Sequence, residues 1–226
     1  RLRLKLHAFG VQGRVLADIL KVGAMACLSP VQSVLAILIF TGLLAQLGTE
    51  ALAGYGIGQR LEFLLIPIAF GIGVASVPMV GMAMGSGNVR RARRVAWVAG
   101  AVSAFNLALI GAVVTLVPDV WARLFTQDEA VLSYARHYLV TAGPAFPFFG
   151  LGLTLYFASQ GAGQVIGPVL AGTLRLVLVA GAGYWLSQHQ GTADRFYALV
   201  AVAMVLYGVV TAVTVKITPW GSARIS

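Results

Sequence analysis

The chain has 226 residues, 59% of them hydrophobic and 10% charged, with a net charge of +9 and a mean hydropathy of +0.88. Soluble domains carry about a quarter charged residues, so this composition excludes one and points to an all-α, multi-pass membrane protein. The basic excess flanks apolar segments instead of forming a solvated face, which sets nucleic acid aside as a partner; a single cysteine, Cys27, rules out an internal disulfide and a thiolate metal cluster.

Residues 1–21 carry Arg1, Arg3, Lys5, Arg14 and Lys21 and read as a basic cytoplasmic linker at the headgroup surface. Six apolar segments follow at about 22–44, 51–84, 95–117, 130–157, 165–187 and 196–217, and 218–226 forms a cytoplasmic tail. Each segment reaches the roughly 20 residues that a hydrocarbon core of about 30 Å requires. The second is overlong and holds Pro67 and Pro78, each removing an intrahelical hydrogen bond and opening a bend. It ends at Gly85-Ser86-Gly87-Asn88, followed at once by Arg90, Arg91, Arg93 and Arg94. Arginines are costly to carry across a bilayer and collect in short cytoplasmic loops, so this turn orients the chain.

A polar loop at 118–129 precedes the fourth segment, which holds Pro144 and Pro147, and the fifth starts near Pro168. Phe70-Gly71-Ile72-Gly73 and Gly85-Ser86-Gly87 are loosely echoed by Phe149-Gly150-Leu151-Gly152 and Gly161-Ala162-Gly163, which raises the suspicion of an internal repeat. Sorted by loop, Lys and Arg alternate as true crossings require. One side collects the residues of the linker, the four loop arginines, Lys216 and Arg224; the other has Arg123, Arg136 and Arg195 among Glu50, Asp119, Asp128, Glu129 and Asp194. Both termini are therefore expected in the cytoplasm. Trp97, Trp121, Trp185 and Trp220 fall near segment ends, as interfacial anchors do.

Ala53-Gly54-Tyr55-Gly56-Ile57-Gly58-Gln59-Arg60-Leu61-Glu62, then Pro67, Phe70-Gly71-Ile72-Gly73, Gly81 and Gly85-Ser86-Gly87-Asn88 with Arg91-Ala92-Arg93-Arg94, resemble the multidrug and toxic compound extrusion (MATE) transporters in their C-terminal half. Gln160-Gly161-Ala162-Gly163, Pro168 and Gly172-Thr173-Leu174-Arg175-Leu176 extend the resemblance over nearly the whole chain. It implies a six-transmembrane-helix bundle, one lobe of a twelve-helix exporter of cationic or amphipathic drugs driven by H+ or Na+. It also implies a partner, the N-terminal six-helix lobe of the same protein, or a homodimer mate standing in for it. Sodium-driven members carry an acidic ligand in the first helix of this lobe, whereas 33–42 holds no carboxylate, so the coupling acid is expected in the first lobe.

Arg60, Glu62 and Arg175 lie within spanning segments, where a charge costs from about 2.5 kcal/mol upward and needs a partner. Counted from the outer ends, Glu62, Arg175 and Asn106 fall at similar depth, which predicts a polar layer with Glu62 paired to Arg175 and Arg60 held by carbonyls or Asn106. Its bland role is a clamp joining the second and fifth segments; its sharper one is titration of Glu62 during transport. Gln32, Tyr55, Gln59, Thr154, Tyr156, Ser159 and Gln160 are candidate cavity-lining polar residues, with Met25, Met79 and the Phe146, Phe148, Phe149 cluster as an apolar wall.

No Gly-rich Lys-Ser/Thr phosphate loop, nucleophile elbow or zinc-ligand spacing is present, and His7, His137 and His189 are dispersed. The chain is therefore expected to be a non-enzymatic secondary antiporter without a cofactor, in the inner membrane, working by alternating access between two lobes. A lipid-linked or oligosaccharide flippase, a non-transporting assembly subunit and an intramembrane enzyme are the competing readings. Because the chain opens at Arg1, it is expected to be a piece of something longer.

Overall fold

Backbone amides in an apolar run have no partner in lipid except their own helix. The computed structural model describes residues 13–189 and 191–220, and helices occupy nearly all of them. Helix α1 (Gly13–Leu44) is closed by a short 3-10 turn, and α2 (Thr49–Gly85) and α3 (Val89–Leu116) follow. After the short α4 (Asp119–Ala122) come α5 (Glu129–Ala142), α6 (Phe146–Gly161), α7 (Ile166–Gln188) and α8 (Ala193–Ile217). Among the described residues six stretches are long and apolar enough to cross a membrane, with α5 and α6 together forming one of them, Glu129–Gly161. The chain is an all-α membrane lobe.

Two boundaries differ from the sequence expectation. Helix α1 begins at Gly13, so 13–21 is helical, while the stretch apolar enough to cross a membrane starts only at Cys27. The fourth segment is divided by a 3-10 turn, Gly143–Ala145, centred on Pro144, which has no amide proton for the helical ladder. By contrast α2 runs through Pro67 and Pro78 for 37 residues, which at about 1.5 Å per residue is roughly 55 Å. The alternating pattern at 1–7, the side chain of Met25 and Arg224 lie outside the described residues.

The echo between the two glycine turns is real in three dimensions. Gly87 (φ 73°) and Gly163 (φ 68°) both adopt the left-handed conformation that ends a helix. In both, the following amide reaches back five residues, Asn88 to the Ala83 carbonyl at 2.9 Å and Gln164 to the Ser159 carbonyl at 2.9 Å. Thus α2 and α6 stop in the same way before their successors begin.

Helix α6 packs against α2, α3 and α8, while α7 lies between α8 and α1. Helix α1 touches α2 only lightly, which leaves a gap between them. Lipid supplies no hydrophobic drive for such packing, so close approach of small residues matters more; Ser103 donates to the Gly150 carbonyl at 3.2 Å where α3 meets α6.

The charges gather at opposite ends. At one, the Asp119 carboxylate accepts from Arg123 Nε at 3.0 Å and Arg136 Nε at 2.5 Å, while Arg136 Nη1 also reaches Glu129 at 3.0 Å. His137 and Asp194 lie 3.2 Å apart at the same end. At the other, Arg93 Nη2 donates to the Thr218 carbonyl at 2.6 Å and Nη1 to the Lys216 carbonyl at 3.3 Å, with the guanidinium over Trp220. The Arg-rich turn and the C-terminal end of α8 therefore share one face of the bundle.

Candidate functional site

The gap between α1 and α2 opens a cavity of about 290 Å³ floored by α6, α7 and α8. Its wall combines six aromatic rings, from Phe63 and Phe70 of α2, Phe149, Tyr156 and Phe157 of α6, and Tyr207 of α8, with aliphatic side chains such as Val34, Ile37, Ile66 and Leu153. Ser29, Ser33 and Gln59 add uncharged polar groups, and Glu62 and Arg175 are the charged side chains in it. A smaller chamber of about 20 Å³ continues inward and is again shared by Glu62 and Arg175, with Tyr55 beside them. That volume accommodates about one water molecule.

Glycine spacing on α2 builds this wall. Gly58 leaves bare backbone on which the ring of Tyr138 lies, so close that a methyl group at Gly58 would collide with it. Glu62, one turn further along the same face, then accepts a hydrogen bond from the Tyr138 hydroxyl. Tyr138 is fully buried and stands edge-on between Tyr55 and Tyr197, with ring centroids 5.2 Å from each. Phe40 tilts against Tyr55 at 5.1 Å, completing an aromatic ladder from α1 through α2 and α5 to α8. The same device recurs lower down, where Gly73 receives the Phe157 ring and Gly152 the Tyr207 ring.

The structure brings Glu62 and Arg175 to one cavity but does not join them in an ion pair. Arg175 instead holds its guanidinium over the rings of Phe149 and Tyr207, 5.8 Å from each centroid. Among the described residues its Nε proton has no partner, and neither has Nε2 of Gln59 across the cavity. The expected layer also loses its other two members. Arg60 is exposed and stacks over Phe125 at 4.9 Å, and Asn106 donates to the Val102 carbonyl of its own helix at 2.8 Å. Residues two apart on a helix face different ways, which is why Arg60 cannot follow Glu62 inward.

The other candidate residues are scattered. Gln59 and Tyr156 line the main cavity, and Tyr55 the small chamber. Gln32 ties α1 to α7 through a 2.7 Å bond to Thr173 Oγ1, leaving its Oε1 without a partner among the described residues. Thr154 is fully buried and reaches the Ala69 carbonyl at 3.4 Å, a packing role. Gln160 sits one turn beyond Tyr156 and outside the cavity wall, and Met79 lines a different groove, between α2 and α3. The partner that sequence reasoning misses is Tyr138. A depth count applied to tyrosines as well as charges would place it about 12 Å in from the start of its segment, near Glu62.

Six membrane-capable stretches around a cavity with aromatic rings in its wall and buried polar atoms left unpaired define a lobe of a multi-pass membrane protein. The MatE family profile matches residues 26–185, and the chain belongs to that family. It is 28% identical over 153 residues to the "Probable multidrug resistance protein NorM" of Thermotoga maritima, covering 68% of this chain and 33% of that protein. It is 33% identical over 127 residues to the "Uncharacterized transporter C323.07c" of Schizosaccharomyces pombe, covering 56% of this chain and 22% of that one. A NorM of Xanthomonas axonopodis matches at 26% over 62% of the chain and 31% of its own length. The chain thus spans about a fifth to a third of the length of the curated relatives it matches.

Proposed function

We propose that this chain is one lobe of a secondary exporter of cationic or amphipathic compounds, with Glu62 as the anionic group of its half of the substrate cavity. The observation that carries this reading is the cavity itself: a carboxylate set among aromatic faces, the environment that recognises lipophilic cations by charge and cation–π attraction. Arg175 shares both cavities with Glu62 without closing an ion pair, its guanidinium lying over the rings of Phe149 and Tyr207, so an incoming cation meets a carboxylate whose charge Arg175 offsets only at a distance. A volume of about 290 Å³ is half a binding site, and the gap between α1 and α2 leaves it open on the side where a second lobe would close it. H+ or Na+ competing for Glu62 would add to coupling through the acid expected in the first lobe, and rocking of the lobes would alternate access. The Arg-rich end faces the cytoplasm of the inner membrane in this scheme, by the same charge rule that oriented the sequence.

The supporting names are those of the NorM relatives, which are called multidrug resistance proteins. A flippase remains the second reading, favoured by one observation: the unpartnered Nε of Arg175 in the cavity wall suits an anionic headgroup. Expression of the full-length gene in efflux-deficient cells separates the two. Export of a lipophilic dye that rises with an imposed H+ or Na+ gradient supports the exporter, whereas no dye export together with lipid scrambling in proteoliposomes overturns it.

A further inference from the structure

A second concavity, of about 760 Å³, runs along the opposite side of α2, between it and α3. Its depth is lined by small and apolar residues such as Gly71, Ala75, Met79, Val98 and Val102, and its mouth by Arg91 and Arg94. From Arg91 to Val102 is eleven residues of helix, about 16 Å, close to half of a hydrocarbon core of about 30 Å. The groove is therefore one leaflet deep, with two positive charges at headgroup level.

These arginines are distinct from their neighbours. Arg91 and Arg94 are one turn apart and both face the groove, exposed, with no side-chain hydrogen bond or ion pair among the described residues. Arg93 points the other way and clamps the C-terminal end of α8. Both groove arginines also sit in the first turns of α3, where the helix dipole favours an anion.

Three occupants compete for such a groove: another part of the protein, a second copy, or a lipid. The face that needs protein is the other one, where Gln59 and Arg175 leave buried polar atoms unpaired. On this side the outward stripe of α3, Phe105, Leu109, Val113 and Leu116, is exposed and wholly apolar, and Asn106 beside it satisfies its own amide on the helix backbone. That is a lipid-facing surface.

We infer that this groove holds one anionic phospholipid, its phosphate between Arg91 and Arg94 and an acyl chain along Ala75, Met79, Val98 and Val102. The inference is independent of the transported substrate. It is tested by native mass spectrometry of the purified full-length protein, delipidated and titrated with phosphatidylglycerol or phosphatidylcholine. One tightly retained phosphatidylglycerol is expected, at least about tenfold preferred over phosphatidylcholine, and lost roughly thirtyfold in affinity in R91Q/R94Q. A75W, which fills the groove while keeping the charges, should lose it too, and R90Q, outside the groove, should keep it. Equal retention of the two lipids by the wild type, equal loss in R90Q, or displacement by millimolar inorganic phosphate would each overturn the inference. So would cysteine crosslinking that places another helix or a second copy against Ala75 in the membrane.

Discussion

The Tyr138 hydroxyl donates to the Glu62 carboxylate across the interface of α5 and α2, and Tyr138 reaches it by lying on Gly58, one turn before Glu62 on the same helix. One glycine thus sets the position of the donor that satisfies the cavity's carboxylate. Replacing Tyr138 with Phe keeps the ring and the aromatic ladder but removes the proton donor. A hydrogen bond to a charged group contributes about 1.5–3 kcal/mol, so Tyr138→Phe should lower the thermal unfolding midpoint of the full-length protein by several degrees. An unchanged midpoint, with Glu62→Gln also silent, would show that this hydrogen bond adds nothing to stability.

Gly58→Ala should cost about 1–3 kcal/mol by pushing Tyr138 off the helix. Gly56→Ala, two residues away, meets open space and should be neutral or stabilising by up to about 1 kcal/mol, since alanine is the better helix former. Thermal unfolding of both variants in detergent checks the contrast, and equal effects would contradict the account of how Tyr138 is seated.

Much of this arrangement is legible in the amino-acid sequence. Six crossings, the Arg-rich turn and the depth of Glu62 and Arg175 follow from hydropathy and charge, because a bilayer penalises misplacement of either. The Glu62–Arg175 ion pair does not form, because depth fixes how far a residue lies along the membrane normal but not its azimuth. Aromatic rings supplied by Phe149 and Tyr207 hold the guanidinium instead. Tyr138 is hidden for the complementary reason: an uncharged residue in an apolar run announces no need for a partner, and its role depends on a gap that Gly58 leaves on a different helix. The division at Pro144 is signalled by composition, whereas the helical continuation of α1 back to Gly13 is obscured by the basic residues flanking it.

Asp119 fastens α4 to α5 through Arg136, with Arg123 at the end of α4 as a local second donor, and the hydrogen bond from Arg136 leads the effects that hold its carboxyl below the usual carboxylate range. A depressed folded pKa contributes stability that is present above the unfolded value, about 3.9, and is lost as pH falls through it toward the lower folded value. The unfolding midpoint of the full-length protein should therefore decline below about pH 4, and Asp119→Asn should be less stable at pH 7 and flatter in that acid range. Parallel curves for the two proteins would show the pair to be idle.

Arg93 is predicted to anchor α8. In Arg93→Gln, the contacts to the Lys216 and Thr218 carbonyls and to Trp220 are lost. Amide exchange at the C-terminal turn of α8 should accelerate by roughly fivefold or more, in line with about 1 kcal/mol for an interaction of this kind. Arg90→Gln should leave that turn unchanged, and a matching acceleration there would reduce Arg93 to one surface charge among several.

The central claim is that Glu62 is the group that recognises a cation in this lobe, and direct binding tests it. Equilibrium binding of tetraphenylphosphonium to the purified full-length protein should be at least about tenfold weaker in Glu62→Gln, a loss of about 1.4 kcal/mol or more, and weakened in the wild type by H+ or Na+. Binding in Glu62→Gln as tight as wild type, with the same dependence on H+ and Na+, would contradict it.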